Sequence, residues 1–133
     1  MATLLYVDDE VVIGQVIGRW FSRRGHTVHV APNIAEAKRV LADESPDALF
    51  IDVWLGNESG FELMHWIDEC HQQLADRVTF VTGDLASSDP DDPAFRLLGH
   101  PVLQKPFNFE NLERAVANAC GAVAPDAPRR ADD

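Results

Sequence analysis

Short apolar runs alternate with amphipathic stretches along most of this chain, and four of the runs give way abruptly to residues of reactive chemistry. Leu4-Leu5-Tyr6-Val7 precedes Asp8-Asp9, Ala48-Leu49-Phe50-Ile51 precedes Asp52, Val78-Thr79-Phe80-Val81 precedes Thr82, and Val102-Leu103-Gln104 precedes Lys105-Pro106. Runs this short, separated by helical patterns, read as the strands of βαβ units and therefore of a parallel sheet. A weaker fifth run, His26 to Ala31, alternates around Val28 and Val30. Right-handed crossovers then give an α/β fold, a doubly wound three-layer sandwich on a five-stranded parallel sheet. Open sheets of this kind bind ligands beyond the carboxyl ends of their strands. Three carboxylates, a hydroxyl and an ammonium are thus expected to meet at one edge.

The stretches between the runs carry helix signals. Glu10 to Arg24 places Val12, Ile13, Val16, Ile17 and Trp20 at helical spacing, and Gly25 supplies a stop. Asn33 and Glu36 have capping-box spacing ahead of Ala37, Val40 and Leu41. Ser59-Gly60-Phe61-Glu62 is a fuller capping box, opening a helix with Leu63, Trp66, Ile67 and Cys70 on one stripe. Gly83 to Asp92 is small, acidic and proline-bearing, so it reads as a loop, with at most a short helix over Pro93 to Leu98. The last helix starts at Asn108 and shows Phe109, Leu112, Val116 and Ala119 in register. One domain over residues 1–121 is expected, and the Ala, Pro, Arg and Asp tail at 122–133 reads as disordered.

A formal net charge of −11 argues against binding nucleic acid or an anionic membrane through bulk charge. Arg19, Arg23 and Arg24 form the only basic cluster, and it reads as a solvated helix end. Cys70 and Cys120 lack partners at metal spacing and read as small buried hydrophobes in a reducing compartment. No apolar stretch approaches the ~20 residues of a membrane span, and no signal peptide precedes the first run. A cytoplasmic location is expected.

A carboxylate can act as a nucleophile toward phosphorus. An acidic cluster alone would repel the anionic phosphoryl group, so a hard divalent cation must bridge the two, with a lysine neutralising further charge. Lys105 is one of only two lysines in the chain, which makes it a poor candidate for surface filler. Over residues 3–120 this arrangement resembles the receiver domain of bacterial two-component response regulators. The resemblance rests on Asp8-Asp9-Glu10, Asp52, Gly60 eight residues later, Thr82-Gly83 and Lys105-Pro106-Phe107. It implies a flavodoxin-like receiver fold with strand order 2-1-3-4-5. It also implies that Asp52 is the phosphoacceptor, that Thr82 and Lys105 act on the phosphoryl group, and that the Gly83 backbone contacts it. Mg²⁺ (or Mn²⁺) would be held by Asp8, Asp9, Asp52 and the Trp54 backbone carbonyl, Asp9 directly and Asp8 through metal waters. The Lys105–Pro106 bond is typically cis in the family, aiming the lysine into the site. The implied partner is a histidine kinase or a histidine phosphotransfer protein, with no metabolite turned over beyond the domain's own phosphorylation and dephosphorylation. A stand-alone regulator and the receiver of a hybrid kinase both fit.

The chain departs from the family in three places. Val102 stands where many receivers carry an aromatic switch residue. The fourth helix reads as short and the loop before it is rich in Asp89, Asp91 and Asp92, which points to signalling through the Gly83 to Asp92 loop instead of the dimer that many receivers form through the fourth helix, fifth strand and fifth helix. Gly56 replaces a common proline four residues after Asp52, an expected loosening of the metal-side loop. The alternative function is a phosphorylation-independent interaction module. A haloacid-dehalogenase-type phosphohydrolase would want Asp-x-Asp after the first strand, and a flavodoxin would want a hydroxyl-rich phosphate loop there. Asp8-Asp9-Glu10 supplies neither.

Overall fold

The structure, a computed structural model, describes residues 2–82, 101–105 and 108–123 of the chain. In chain order it holds β1 (Thr3–Val7), α1 (Val11–Ser22), β2 (Thr27–Ala31), α2 (Ile34–Asp43), β3 (Ala48–Asp52), α3 (Gly60–Cys70), a 3₁₀ turn (Gln72–Arg77), β4 (Val78–Thr82), β5 (Val102–Gln104) and α4 (Phe109–Val123). The five strands form one parallel sheet ordered β2-β1-β3-β4-β5. The expected fold and strand order are therefore what the chain adopts. A two-residue ribbon, Trp54–Leu55 against Glu58–Ser59, follows β3.

Strand alternation explains the three layers. Successive side chains point to opposite faces, so Leu5, Val7, Leu49, Ile51 and Phe80 join the core beneath α2 and α3. Leu4, Tyr6, Phe50 and Val81 join the opposite core beneath α1 and α4. β1 and β3 are buried on both faces, so they read as unbroken apolar runs. Each fully buried Leu, Ile or Phe contributes roughly 1.5–3 kcal/mol. The chain turns in opposite directions from β1, to β2 on one side and β3 on the other. That reversal opens a crevice between the carboxyl ends of β1 and β3.

Several sequence expectations change in detail. In α1 the buried residues are Gly14, Ile17 and Phe21, whereas Val12 and Val16 are 71% and 46% exposed. Gly14 faces β2: a Cβ there would sit 2.5 Å from Val30 Cγ1, so a larger residue would require the Val30 side chain or the helix to shift. Asn33 caps α2 as expected, Oδ1 accepting the Glu36 N–H at 2.9 Å. Ser59 caps α3 one residue earlier than a capping box requires, accepting from Phe61 N–H at 3.1 Å. Cys70 is exposed at the end of α3 and Cys120 is half-buried, which corrects the reading of both as buried hydrophobes. The last helix runs to Val123, past the expected boundary. The expected loop at Gly83 to Asp92, the short helix at Pro93 to Leu98, Gly83 itself, Pro106-Phe107 and residues 124–133 lie outside the described residues. No helix among the described residues is long and apolar enough to cross a membrane.

Candidate functional site

The crevice between β1 and β3 holds the acidic residues. Asp8 directly follows β1 and is fully buried. Its Oδ2 accepts the Tyr6 hydroxyl at 2.9 Å, and its Oδ1 accepts the Glu10 N–H at 2.9 Å. The second bond turns the chain from strand to helix and leads Glu10 back toward the crevice. Asp52 ends β3 and is 6% exposed. Its Oδ1 accepts the Trp54 N–H at 3.0 Å, which leaves Oδ2 turned toward the crevice. Gly60 packs directly beneath: a Cβ there would strike the Asp52 carbonyl oxygen and lie 2.9 Å from Ile51 Cγ2.

Lys105 closes the site from β5. Its backbone N–H donates to the Thr82 carbonyl at 2.8 Å, which registers the lysine beside the end of β4. From there Nζ meets Asp8 Oδ2 at 2.8 Å, Glu10 Oε1 at 2.7 Å and Asp52 Oδ2 at 2.8 Å. Thr82 is fully buried at the end of β4. Oxygens of Asp8, Glu10 and Asp52 all lie within 4.8 Å of one another. Asp9 is exposed, its Oδ2 close to Gly56, and the Trp54 indole is 58% exposed.

The structure brings Asp8, Asp52 and Lys105 into one cluster, while Asp9 stands at its rim. Glu10 and Tyr6 gained no site role from sequence. Glu10 was visible in the acidic triplet, but three consecutive acidic residues do not reveal which two face inward. Tyr6 looked like one more strand hydrophobe.

Three carboxylates share one ammonium, so the cluster keeps an excess of negative charge in a largely buried place. Burial pushes the Asp52 carboxyl up from 3.8 to about 6, against the lowering pull of Lys105 and of the Trp54 N–H. Asp52 is therefore still mostly ionised at neutral pH. Burial disfavours the Lys105 ammonium, but hydrogen bonds to Asp52, Asp8 and Glu10 outweigh it and hold the pKa above the ordinary lysine value. Burial, then the Asp8 charge, pushes the Tyr6 phenol up, so it stays a proton donor to Asp8. An all-oxygen, anionic donor set of this kind suits a hard divalent cation such as Mg²⁺.

Known proteins resemble this chain in sequence and fold. A sequence profile described as the response regulator receiver domain matches residues 4–117. The chain is 34% identical over 112 residues to the transcriptional regulatory protein GltR of Pseudomonas aeruginosa, covering 83% of this chain and 45% of GltR. It is 30% identical over 118 residues to the sensory transduction protein LytT of Enterococcus faecalis, covering 87% of this chain and 47% of LytT. The chain thus spans about half the length of these relatives. Among solved structures, NtrX from Brucella abortus in complex with ATP superposes with a TM-score of 0.80 at 25% identity, over 93% of this chain and 28% of NtrX. The receiver domain of a Francisella response regulator superposes at 0.74 and 22% identity, over 90% of this chain and 97% of its own. A match that begins in β1, ends in α4 and encloses the whole acidic crevice makes this chain a member of the response regulator receiver family of two-component signalling.

Proposed function

We propose that the chain is a phosphoacceptor switch, taking a phosphoryl group onto Asp52 from the phosphohistidine of a histidine kinase or a histidine phosphotransfer protein. The observation that carries this reading is the position of Asp52 Oδ2. It is buried at a strand end, mostly ionised at neutral pH, and 2.8 Å from the Lys105 ammonium. In the transfer, an Asp52 oxygen forms the new bond to phosphorus, the bond from phosphorus to the imidazole nitrogen breaks, and the histidine leaves neutral. Lys105 stays beside the phosphoryl oxygens and offsets their charge. Thr82 and the Gly83 backbone N–H donate to the remaining oxygens.

Mg²⁺, or Mn²⁺ in its place, would be held by Asp8, Asp9, Asp52 and the Trp54 carbonyl, with Glu10 as a further carboxylate in reach. Bound there, it supplies the positive charge that lets an anionic phosphoryl group approach an acidic crevice. Tyr6 fixes the Asp8 carboxylate against its own strand, and the Trp54 N–H fixes the rotamer of Asp52. These contacts preorganise the site before any donor arrives. Output passes to a protein partner in the cytoplasm; the net charge of −11 disfavours direct contact with DNA by this domain.

Incubation with Mg²⁺ and a small-molecule phosphodonor, followed by intact-mass measurement, tests the reading. One added phosphoryl group that requires Mg²⁺ and vanishes in Asp52→Asn is the expected result. No mass gain in the wild-type chain would favour the phosphorylation-independent interaction module.

A further inference from the structure

The segment after Asp52 departs from the looseness that Gly56 suggested. Trp54–Leu55 pairs antiparallel with Glu58–Ser59, so Gly56-Asn57 forms a two-residue hairpin turn. Gly56 has φ +64°, and no described non-glycine residue has positive φ. That combination marks a type II′ turn, which needs glycine at its first central position. The turn abuts the acidic rim, since a Cβ at Gly56 would lie 3.6 Å from Asp9 Oδ2.

A hairpin with two residues per strand is marginal on its own; Leu55 anchors this one in the core, and bonds from outside its ladder reach both of its strands. At one strand, the Trp54 N–H donates to Asp52 Oδ1 at 3.0 Å. At the other, Glu58 Oε1 accepts the backbone N–H of Ile34 at 3.1 Å, across 24 residues of sequence. Ile34 is the first residue of α2, so its N–H has no partner within the helix. Asn33 takes the Glu36 N–H, so Glu58 supplies a second, tertiary cap at the positive end of the helix. The anchor is firm because the Ile34 side chain is buried in the core.

We propose that Glu58 is a positioning residue for the divalent-cation site. By tying the hairpin to α2 it fixes the Trp54 backbone against Asp52, and so sets how tightly the acidic cluster holds Mg²⁺. The inference rests on the phosphoacceptor reading, in which the Trp54 carbonyl is a metal ligand. Glu58 acts through the hairpin and touches neither Asp52 nor the cation.

The test uses the full chain as wild type, Glu58→Ala and Glu58→Gln. Calorimetry gives the Mg²⁺ dissociation constant, and amide hydrogen exchange in the metal-free protein reports on Ile34. Glu58→Ala weakens Mg²⁺ binding roughly tenfold, a usual effect of losing a group that orients a ligand, and speeds exchange of the Ile34 amide. Glu58→Gln retains near-wild-type affinity, because its amide oxygen still accepts the same N–H. Unchanged affinity in Glu58→Ala, even with a lowered urea midpoint, would overturn the proposal and leave Glu58 a purely structural cap. Equal weakening in Glu58→Gln would also overturn it, since charge and not the tether would then be responsible. A wild-type chain that binds no Mg²⁺ would overturn the phosphoacceptor reading itself, and this inference with it.

Discussion

Removing the Asp52 charge is predicted to stabilise the metal-free protein. Burial raises the Asp52 pKa from 3.8 to about 6 even with Lys105 alongside. Below about pH 4 the folded and unfolded chains both carry this proton, and the group leaves stability unchanged. Between about pH 4 and 6 the folded chain binds more protons than the unfolded one, so stability falls as pH rises. Above about pH 6 the full difference applies, roughly two pH units at 1.36 kcal/mol each, or about 3 kcal/mol. Asp52→Asn keeps the shape and the oxygen that accepts the Trp54 N–H, and it removes this strain. Urea unfolding in EDTA at pH 7 should show the variant about 2–3 kcal/mol more stable, with a melting point roughly 8 °C higher. At pH 4 the two proteins should converge. An Asp52→Asn variant less stable than wild type at pH 7, or a difference that does not shrink on acidification, would show that burial of the Asp52 charge does not cost stability.

Gly60→Ala would press a methyl against the Asp52 carbonyl oxygen and Ile51 Cγ2. Overpacking against backbone costs about 3 kcal/mol and the better helix propensity of alanine returns about 1, so a net loss of about 2 kcal/mol is expected in urea unfolding. Tyr6→Phe removes the buried donor to Asp8 at 2.9 Å; the other partners of Asp8 soften the effect to about 1–2 kcal/mol, read by the same assay. Lys105→Met leaves Asp8, Glu10 and Asp52 without their shared ammonium. The metal-free protein should lose about 2–3 kcal/mol. Mg²⁺ should restore that stability and, freed of a competing cation, bind at least ~10-fold more tightly by calorimetry.

The sheet was legible because β1 and β3 are buried on both faces, and runs such as Leu4–Val7 and Ala48–Ile51 admit few other folds. Asp52 and Lys105 were legible because each sits where a strand ends, and parallel strands bring their ends together. What stayed hidden depended on rotation and on tertiary bonds. The valines of α1 outnumber the places for them, and the buried face of the helix runs through Gly14, Ile17 and Phe21 instead. Composition does not distinguish Asp9 from Glu10; Glu10, not Asp9, is the one that reaches Lys105. The hairpin at Gly56 was missed because part of what holds it is tertiary, the burial of Leu55 and the bond from Ile34 N–H to Glu58.

The most direct measurement treats the Mg²⁺-loaded chain with a small phosphodonor, reduces any acyl phosphate with borohydride, and maps the product by peptide mass spectrometry. Conversion of Asp52 to homoserine, and of no other acidic residue, is predicted. Labelling at Asp8 or Asp9, or none in a protein that binds Mg²⁺, would contradict the assignment of Asp52 as the phosphoacceptor.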